Sequence, residues 1–264
     1  MDWKAQICRS PALRSRRAEP VLVQEEAGIH VGISADLPEA ARHAASIFYQ
    51  NYQHWLSKGR FAAWGRYKRQ HFTVAVGGGN TLKAQYQALV QEHHSNIDWN
   101  RHVRFFLLEE SSGEKNWESA ENGLVINFIM PLAEKLLRKK GIRRLADDLG
   151  LQLPADQDDI IDHLVATMVH PINLAETKKA LDNKNRALAS RLAGQEAARY
   201  QREIENRLGS SMEFHFIFSG IGKNGTLGAF APYTPELKIT EPGALVLKQP
   251  SGALRVALNR GVMT

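Results

Sequence analysis

Two glycine-rich turns, each following an apolar run, carry the residues best placed to do chemistry. The first is Phe72-Thr-Val-Ala-Val-Gly77-Gly78-Gly79-Asn80-Thr81, and the second is Phe214-His-Phe-Ile-Phe-Ser-Gly220-Ile-Gly222-Lys223-Asn224-Gly225-Thr226. A strand that runs through glycines into a helix presents backbone N–H groups to an anion, because the first donors of a helix have no partner within it. At the first turn the donors are the N–H groups of Gly78 and Gly79 with the Asn80 and Thr81 side chains. At the second they are Gly222 and Gly225, with Lys223 as a cation and Asn224 and Thr226 able to polarise a ligand or position water. Two such turns in one domain can close on one phosphorylated small molecule. The plainer readings stay open beside these: Gly77–Thr81 as a tight packing turn, Asn224-Gly225 as an ordinary turn-former, and Lys223 facing solvent.

Between the turns lies a third candidate, Glu109-Glu110, at the end of the apolar run Val103–Leu108. Adjacent residues of an extended segment point to opposite faces, so at most one of the two faces a shared site. Arg255, within Arg255–Leu258, can hold a phosphate or make a surface ion pair. His215 sits inside an apolar strand pattern and reads as a packed, hydrogen-bonded histidine. His93, His94 and His102 have polar neighbours and read as surface residues.

The elements that must position these groups follow from periodicity. Residues 29–33 read as a short strand. Asp36 and Glu39 then form a start like a capping box. Leu37, Ala41, Ala44, Phe48, Tyr52 and Trp55 recur at helical spacing. Strands are expected at Phe72–Val76, Val103–Leu108, Val169–Ile172, Phe214–Phe218 and Arg255–Leu258, with the stretch from Pro232 to Pro250 rich in loop. Helices are expected at Leu82–Glu92, Leu124–Leu137 and 175–208, the last broken at Gly194. Residues 138–165 pass from basic to acidic and read as a helical insertion interrupted by Pro154. The alternation predicts an α/β fold with a mainly parallel, doubly wound sheet covered on both faces. In such folds ligands sit beyond the carboxyl ends of the strands, where both turns and the Glu109/Glu110 pair fall.

Composition narrows the class. The 264 residues are 43% hydrophobic and 23% charged, as in an ordinary soluble domain. Cys8 is the single cysteine, which excludes an intramolecular disulfide and a cysteine-rich zinc site. No apolar run approaches the roughly 18 residues that span a bilayer, and the N-terminus has no signal-peptide core, so a cytoplasmic protein without a membrane partner is the default. The net charge of +6 favours anionic partners. Much of it lies in Lys4–Arg17, within residues 1–28, which read as a basic N-terminal arm ahead of an α/β domain at 29–264. The arm is read as solvated, with a transit segment or a nucleic-acid contact as the weaker alternatives.

With these residues in place, the chain resembles the 6-phosphogluconolactonase and glucosamine-6-phosphate isomerase family. The family's Ser-Gly-Gly-Ser-Thr-Pro turn is matched by Gly77-Gly78-Gly79-Asn80-Thr81-Leu82, and Ala197-Ala198-Arg199-Tyr200 matches the helix before the second turn. The lactonase pattern Gly-x-Gly-x-Asp-Gly-His-Thr-x-Ser-Leu-Phe-Pro aligns with Gly220-Ile-Gly222-Lys-Asn224-Gly225-Thr226-Leu-Gly-Ala-Phe-Ala-Pro232. The step from Thr226 to Pro232 suits lactonases better than isomerases, and Arg255-Val-Ala-Leu258 looks like the family's Arg-Ile-Thr-Leu strand. The resemblance implies a Rossmann-type fold that binds a phosphorylated sugar or sugar lactone without metal or organic cofactor. It implies lactone hydrolysis in the pentose phosphate pathway, with Glu109 aligned to the family's aspartate and Thr226 to its catalytic histidine.

The departures from the pattern are themselves informative. A threonine hydroxyl cannot take a proton from water as an imidazole does. The family's Asp-Glu-Arg triplet is Glu109-Glu110-Ser111 here, which removes an arginine suited to bidentate anion binding. Lys223 is placed to replace part of that charge. The family's last strand and its phosphate-binding lysine would fall beyond Thr264, so the chain is either truncated or closes its sheet differently. The alternative expectation is therefore a catalytically disabled sugar-phosphate-binding or regulatory homologue.

Overall fold

The computed structural model describes residues 21–26, 29–58, 66–113, 119–221, 226, 229–230, 232 and 234–263. Residues 1–20 of the expected arm lie outside this set. Strand pairing begins within the stretch expected as arm: β1 (Val21–Glu26) pairs antiparallel with β2 (Ile29–Ile33).

The centre is a parallel sheet of β3 (Phe72–Val76), β4 (Val103–Leu107), β6 (Val169–His170) and β7 (Phe216–Phe218), in the order β6-β4-β3-β7. Every residue of β3 is buried, as an apolar run covered on both faces requires. The register sets Phe72, Val74 and Val76 beside Val103, Phe105 and Leu107 on one face. On that face lie α1 (Leu37–Lys58), α3 (Asn80–His93) and a long helix built from α5 (Ala120–Leu124), a π turn (Val125–Ile129) and α6 (Met130–Lys140). Phe48 of α1 is fully buried and touches four rings: Phe72, Trp99, Phe216 and Phe218, at centroid distances of 5.3 to 5.8 Å. Phe128 of the π turn closes edge-on against Phe105 at 5.1 Å. The opposite face carries α10 (Arg186–Leu208), whose buried Tyr200 donates its hydroxyl to the Leu107 carbonyl at 2.8 Å. Helices on both faces make the sheet doubly wound.

The start of α1 is held as its sequence predicts. Asp36 accepts from the Glu39 N–H at 2.7 Å, and Glu39 reaches back to the Ala35 N–H at 2.6 Å. The 138–165 stretch is helical on both sides of Pro154, as α7 (Ile142–Leu149) and α8 (Gln157–Met168). Leu145, Ile160 and Leu164 are buried in the same core as the sheet. The expected break at Gly194 does not occur. α10 runs straight through it, because the roughly 1 kcal/mol propensity cost of one glycine is outweighed by burial of Ala189, Ala193, Ala197 and Tyr200. The break falls instead between α9 (Ala175–Asp182) and α10, where Lys184 takes φ 57° and Asn185 caps the Leu188 N–H. Beyond β4, β5 (Glu109–Ser111) pairs antiparallel with β9 (Leu254–Leu258), which pairs with β8 (Ala244–Lys248) in a second sheet. Among the described residues no helix is long and apolar enough to cross a membrane.

Two histidines depart from the surface reading. His93 is buried on α3 with its ring stacked 4.5 Å from Tyr49 of α1, because its helical position faces the neighbouring helix whatever its sequence neighbours are. His102, at the end of α4 (Trp99–His102), bonds the Tyr52 hydroxyl at 2.8 Å. His215 is packed as expected, just ahead of β7. Its Nδ1 accepts from the Thr73 N–H at 3.0 Å and lies 2.8 Å from Thr73 Oγ1, while its own N–H donates to the Thr73 carbonyl. Burial, with the nearby Lys68, pulls the His215 pKa down to about 3. The unfolded chain therefore takes up a proton near the ordinary 6.5 while the folded one does not. The stabilisation is complete above pH 6.5 and is lost as the pH falls from there toward 3. The expected result is a loss of about 1.4 kcal/mol per pH unit from this residue below 6.5, read by urea unfolding from pH 7 to 5. His215→Asn should flatten that slope; an unchanged slope would place the titration elsewhere.

Candidate functional site

The three strand ends at the carboxyl edge of the parallel sheet are tied together. Gly77 donates its N–H to the Phe218 carbonyl at 3.0 Å, and Leu108 donates to the Val76 carbonyl at 2.7 Å. The first glycine turn thus lies between the ends of β7 and β4. Gly79 takes φ 101°, which side-chain-bearing residues avoid, and a β-carbon on Gly78 would meet the Ala120 backbone at 3.7 Å. A β-carbon on Gly220 would lie 3.6 Å from Thr81 Cβ. The opening of the second turn therefore touches the first. α3 begins at this meeting point with Gly79 as its N-cap, a residue with no side chain to cap the leading N–H groups. Thr81 is exposed beside them.

Gly222, Lys223, Asn224 and Gly225 lie outside the described residues, as does the side chain of Asn80. Thr226 is half-buried. At the end of β7, Ser219 adds a buried hydroxyl that has no hydrogen-bond partner among the described residues.

Glu109 and Glu110 point apart. Glu109 accepts from Arg255 Nη1 at 2.6 Å across the β5–β9 pairing, and both side chains are largely buried. The Gln249 amide, oriented to donate to Ser111 Oγ at 2.8 Å, accepts from Arg255 Nη2 at 2.7 Å and Nε at 3.1 Å. Arg255 thus forms an ion pair, and the pair is largely buried, not at the surface. Glu110 turns the other way and accepts from the Ser111 N–H at 3.1 Å and the Glu121 N–H at 3.2 Å. Its charge thus sits at the N-terminus of α5, where the helix dipole favours an anion.

Glu110 also lines a cleft of about 360 Å³ at the same edge, together with Ser111, Ser112, Glu121, Asn173 and Lys178. Glu121 is the residue that sequence reasoning missed. Burial raises its carboxyl above the ordinary range, and the side chain has no partner among the described residues. Its neighbour Ala120 lies next to Gly78, so α5 starts beside the first glycine turn, while the Glu121 side chain lines the cleft with Glu110. The available signal was Ser119, which caps α5 by accepting from the Asn122 N–H at 3.0 Å and so marks a helix start. Among the described residues no group of His, Cys, Asp or Glu is arranged to hold a metal ion.

No protein-family model matches the sequence, and no curated protein matches it either. Solved structures do. The 6-phosphogluconolactonase from Leishmania guyanensis matches with a TM-score of 0.56 at 17% identity, over 87% of this chain and 75% of that chain. The enzyme from Trypanosoma cruzi gives 0.55 at 15%, over 87% and 74%. The one from Thermotoga maritima gives 0.50 at 14%, over 84% and 74%. At these identities the likeness is one of fold.

Proposed function

Starting from the fold that this chain has in common with the 6-phosphogluconolactonases, we propose that it binds a phosphorylated sugar lactone or its acid where the two glycine turns meet, and that its reaction is hydrolysis of the lactone. The observation that supports this reading is the approach of Gly220 to Thr81 at the glycine-capped start of α3, since a helix N-terminus at the carboxyl edge of a parallel sheet is suited to an anion. In the reaction, water attacks the ring carbonyl, and turn N–H groups stabilise the oxyanion that develops. The proton of that water goes to a carboxylate. One oxygen of Glu109 is already engaged by Arg255, so Glu109 orients, and Glu121 takes the proton. As the tetrahedral intermediate collapses, the bond from the carbonyl carbon to the ring oxygen breaks and that oxygen takes the proton back, leaving the open-chain acid. Thr226, in place of a histidine, positions the water.

A second reading is a homologue that binds the same ligands without turnover. The Glu109–Arg255 pair and Thr226 favour it, since they engage two groups otherwise available to the reaction and supply no imidazole.

One pair of measurements separates the readings. A ligand that binds only the folded state, at a concentration of 100 Kd, adds about 2.7 kcal/mol of stability. 6-Phosphogluconate should therefore raise Tm by several degrees. With 6-phosphogluconolactone, acid release above the spontaneous rate supports hydrolysis, while a Tm shift with only background release supports the second reading. No Tm shift and no turnover would end both.

A further inference from the structure

A large cleft lies at the other edge of the sheet, where α4 turns into β4. Its volume is about 890 Å³, and its walls come chiefly from residues 94–98, α4, β4, α6 and α7. Four cations line it, Arg101, Arg104, Lys139 and Lys140, against two acids, Asp98 and Asp148. Asp148 is taken by Lys140 at 2.7 Å. No ion pair among the described residues engages Arg101, Arg104 or Lys139, so the cleft is left with uncompensated positive charge.

Arg104 shows the imbalance most clearly. It is half-buried, and its Nη1 donates to the carbonyls of Asn100 at 2.7 Å and Val103 at 2.8 Å. Carbonyls satisfy hydrogen bonds but do not neutralise a charge, and a desolvated cation without a counter-charge is costly. Burial, followed by repulsion from Arg207, presses its pKa downward, against the attraction of Tyr67. An anion entering the cleft would supply the missing charge through charge-assisted hydrogen bonds to a planar guanidinium.

We propose that this cleft binds a phosphate-bearing small molecule, held by Arg104 with Arg101 and Lys139 closing over it. Its concave shape argues for a small ligand. A cavity of this volume suits a nucleotide-sized molecule, whereas a nucleic-acid surface is an extended basic face. The site is separate from the glycine turns, and it stands or falls without the lactone reading.

The test is equilibrium dialysis of the full chain with inorganic pyrophosphate at 0.15 M salt. One saturable equivalent is expected to weaken by at least about tenfold in Arg101→Ala/Lys139→Ala. Both residues are exposed, so this variant should keep the wild-type Tm to within about 1 °C. Arg104→Lys, which keeps the charge but loses the planar fork, should weaken the same equivalent. Pyrophosphate bound at the glycine turns would add a separate equivalent that these variants leave unchanged. The proposal is overturned by no saturable binding, by equal affinity in the double variant, or by a duplex oligonucleotide that displaces pyrophosphate at lower concentration.

Discussion

Arg255→Met is expected to cost about 3 kcal/mol of unfolding free energy, enough to lower Tm by roughly 6 to 12 °C in a chain of this size. The reason is the carboxylate left behind. Glu109 is largely buried, and its carboxylate accepts from Arg255 Nη1 at 2.6 Å. Removing the guanidinium leaves that oxygen desolvated and facing no cation. It also releases the Gln249 amide, which fixes Ser111 on the same strand. The loss comes from breaking half of a buried pair, so removing the other half should restore most of it. The double variant Glu109→Gln/Arg255→Met is therefore expected within about 1 kcal/mol of wild type in urea unfolding, since an uncharged pair of similar shape is nearly neutral. If Arg255 instead serves a ligand, the single variant keeps its Tm and loses the 6-phosphogluconate shift. That outcome would remove the structural account of the pair.

The parts of the fold that could be read from sequence are those set by local pattern. β3 and β4 are mainly apolar runs, and α1 announces itself by Asp36, Glu39 and an aromatic stripe at helical spacing. The meeting of the glycine turns followed from one rule, that both close strands of a single parallel sheet. The antiparallel sheet was harder to see. Glu109-Glu110-Ser111 has no apolar alternation, and its partner, Arg255–Ala257, is far along the chain. What makes it a strand is pairing, which no local window contains. The same holds for His93, buried by a helix distant in sequence, and for the break at Lys184, where capping by Asn185 counts for more than the flexibility of Gly194. Glu121 escaped notice for a related reason. Its significance lies in burial without a hydrogen-bond partner for its carboxyl among the described residues, which is visible only in three dimensions.

Glu121→Gln is expected to cut turnover of 6-phosphogluconolactone at neutral pH by about 10²- to 10³-fold, the usual contribution of a positioned base, while leaving the Tm shift with 6-phosphogluconate in place. A carboxyl raised by burial is a stronger base than one in water, and it must lose its proton to act. The wild-type rate should therefore climb with pH through a step above the ordinary carboxylate range, and the glutamine variant should lose that step. Stability gives a second readout that does not depend on turnover. The folded state holds the Glu121 proton more tightly than the unfolded chain, so the charged form weakens the fold once the pH exceeds the unfolded value. A neutral glutamine of the same shape removes that cost, and the variant should melt higher than wild type at pH 7 and no higher below pH 4. A loss of turnover together with a higher Tm marks a carboxyl kept for chemistry at the expense of stability. Unchanged turnover in the variant would move the base elsewhere, and a lower Tm would make Glu121 a structural residue of the α5 start.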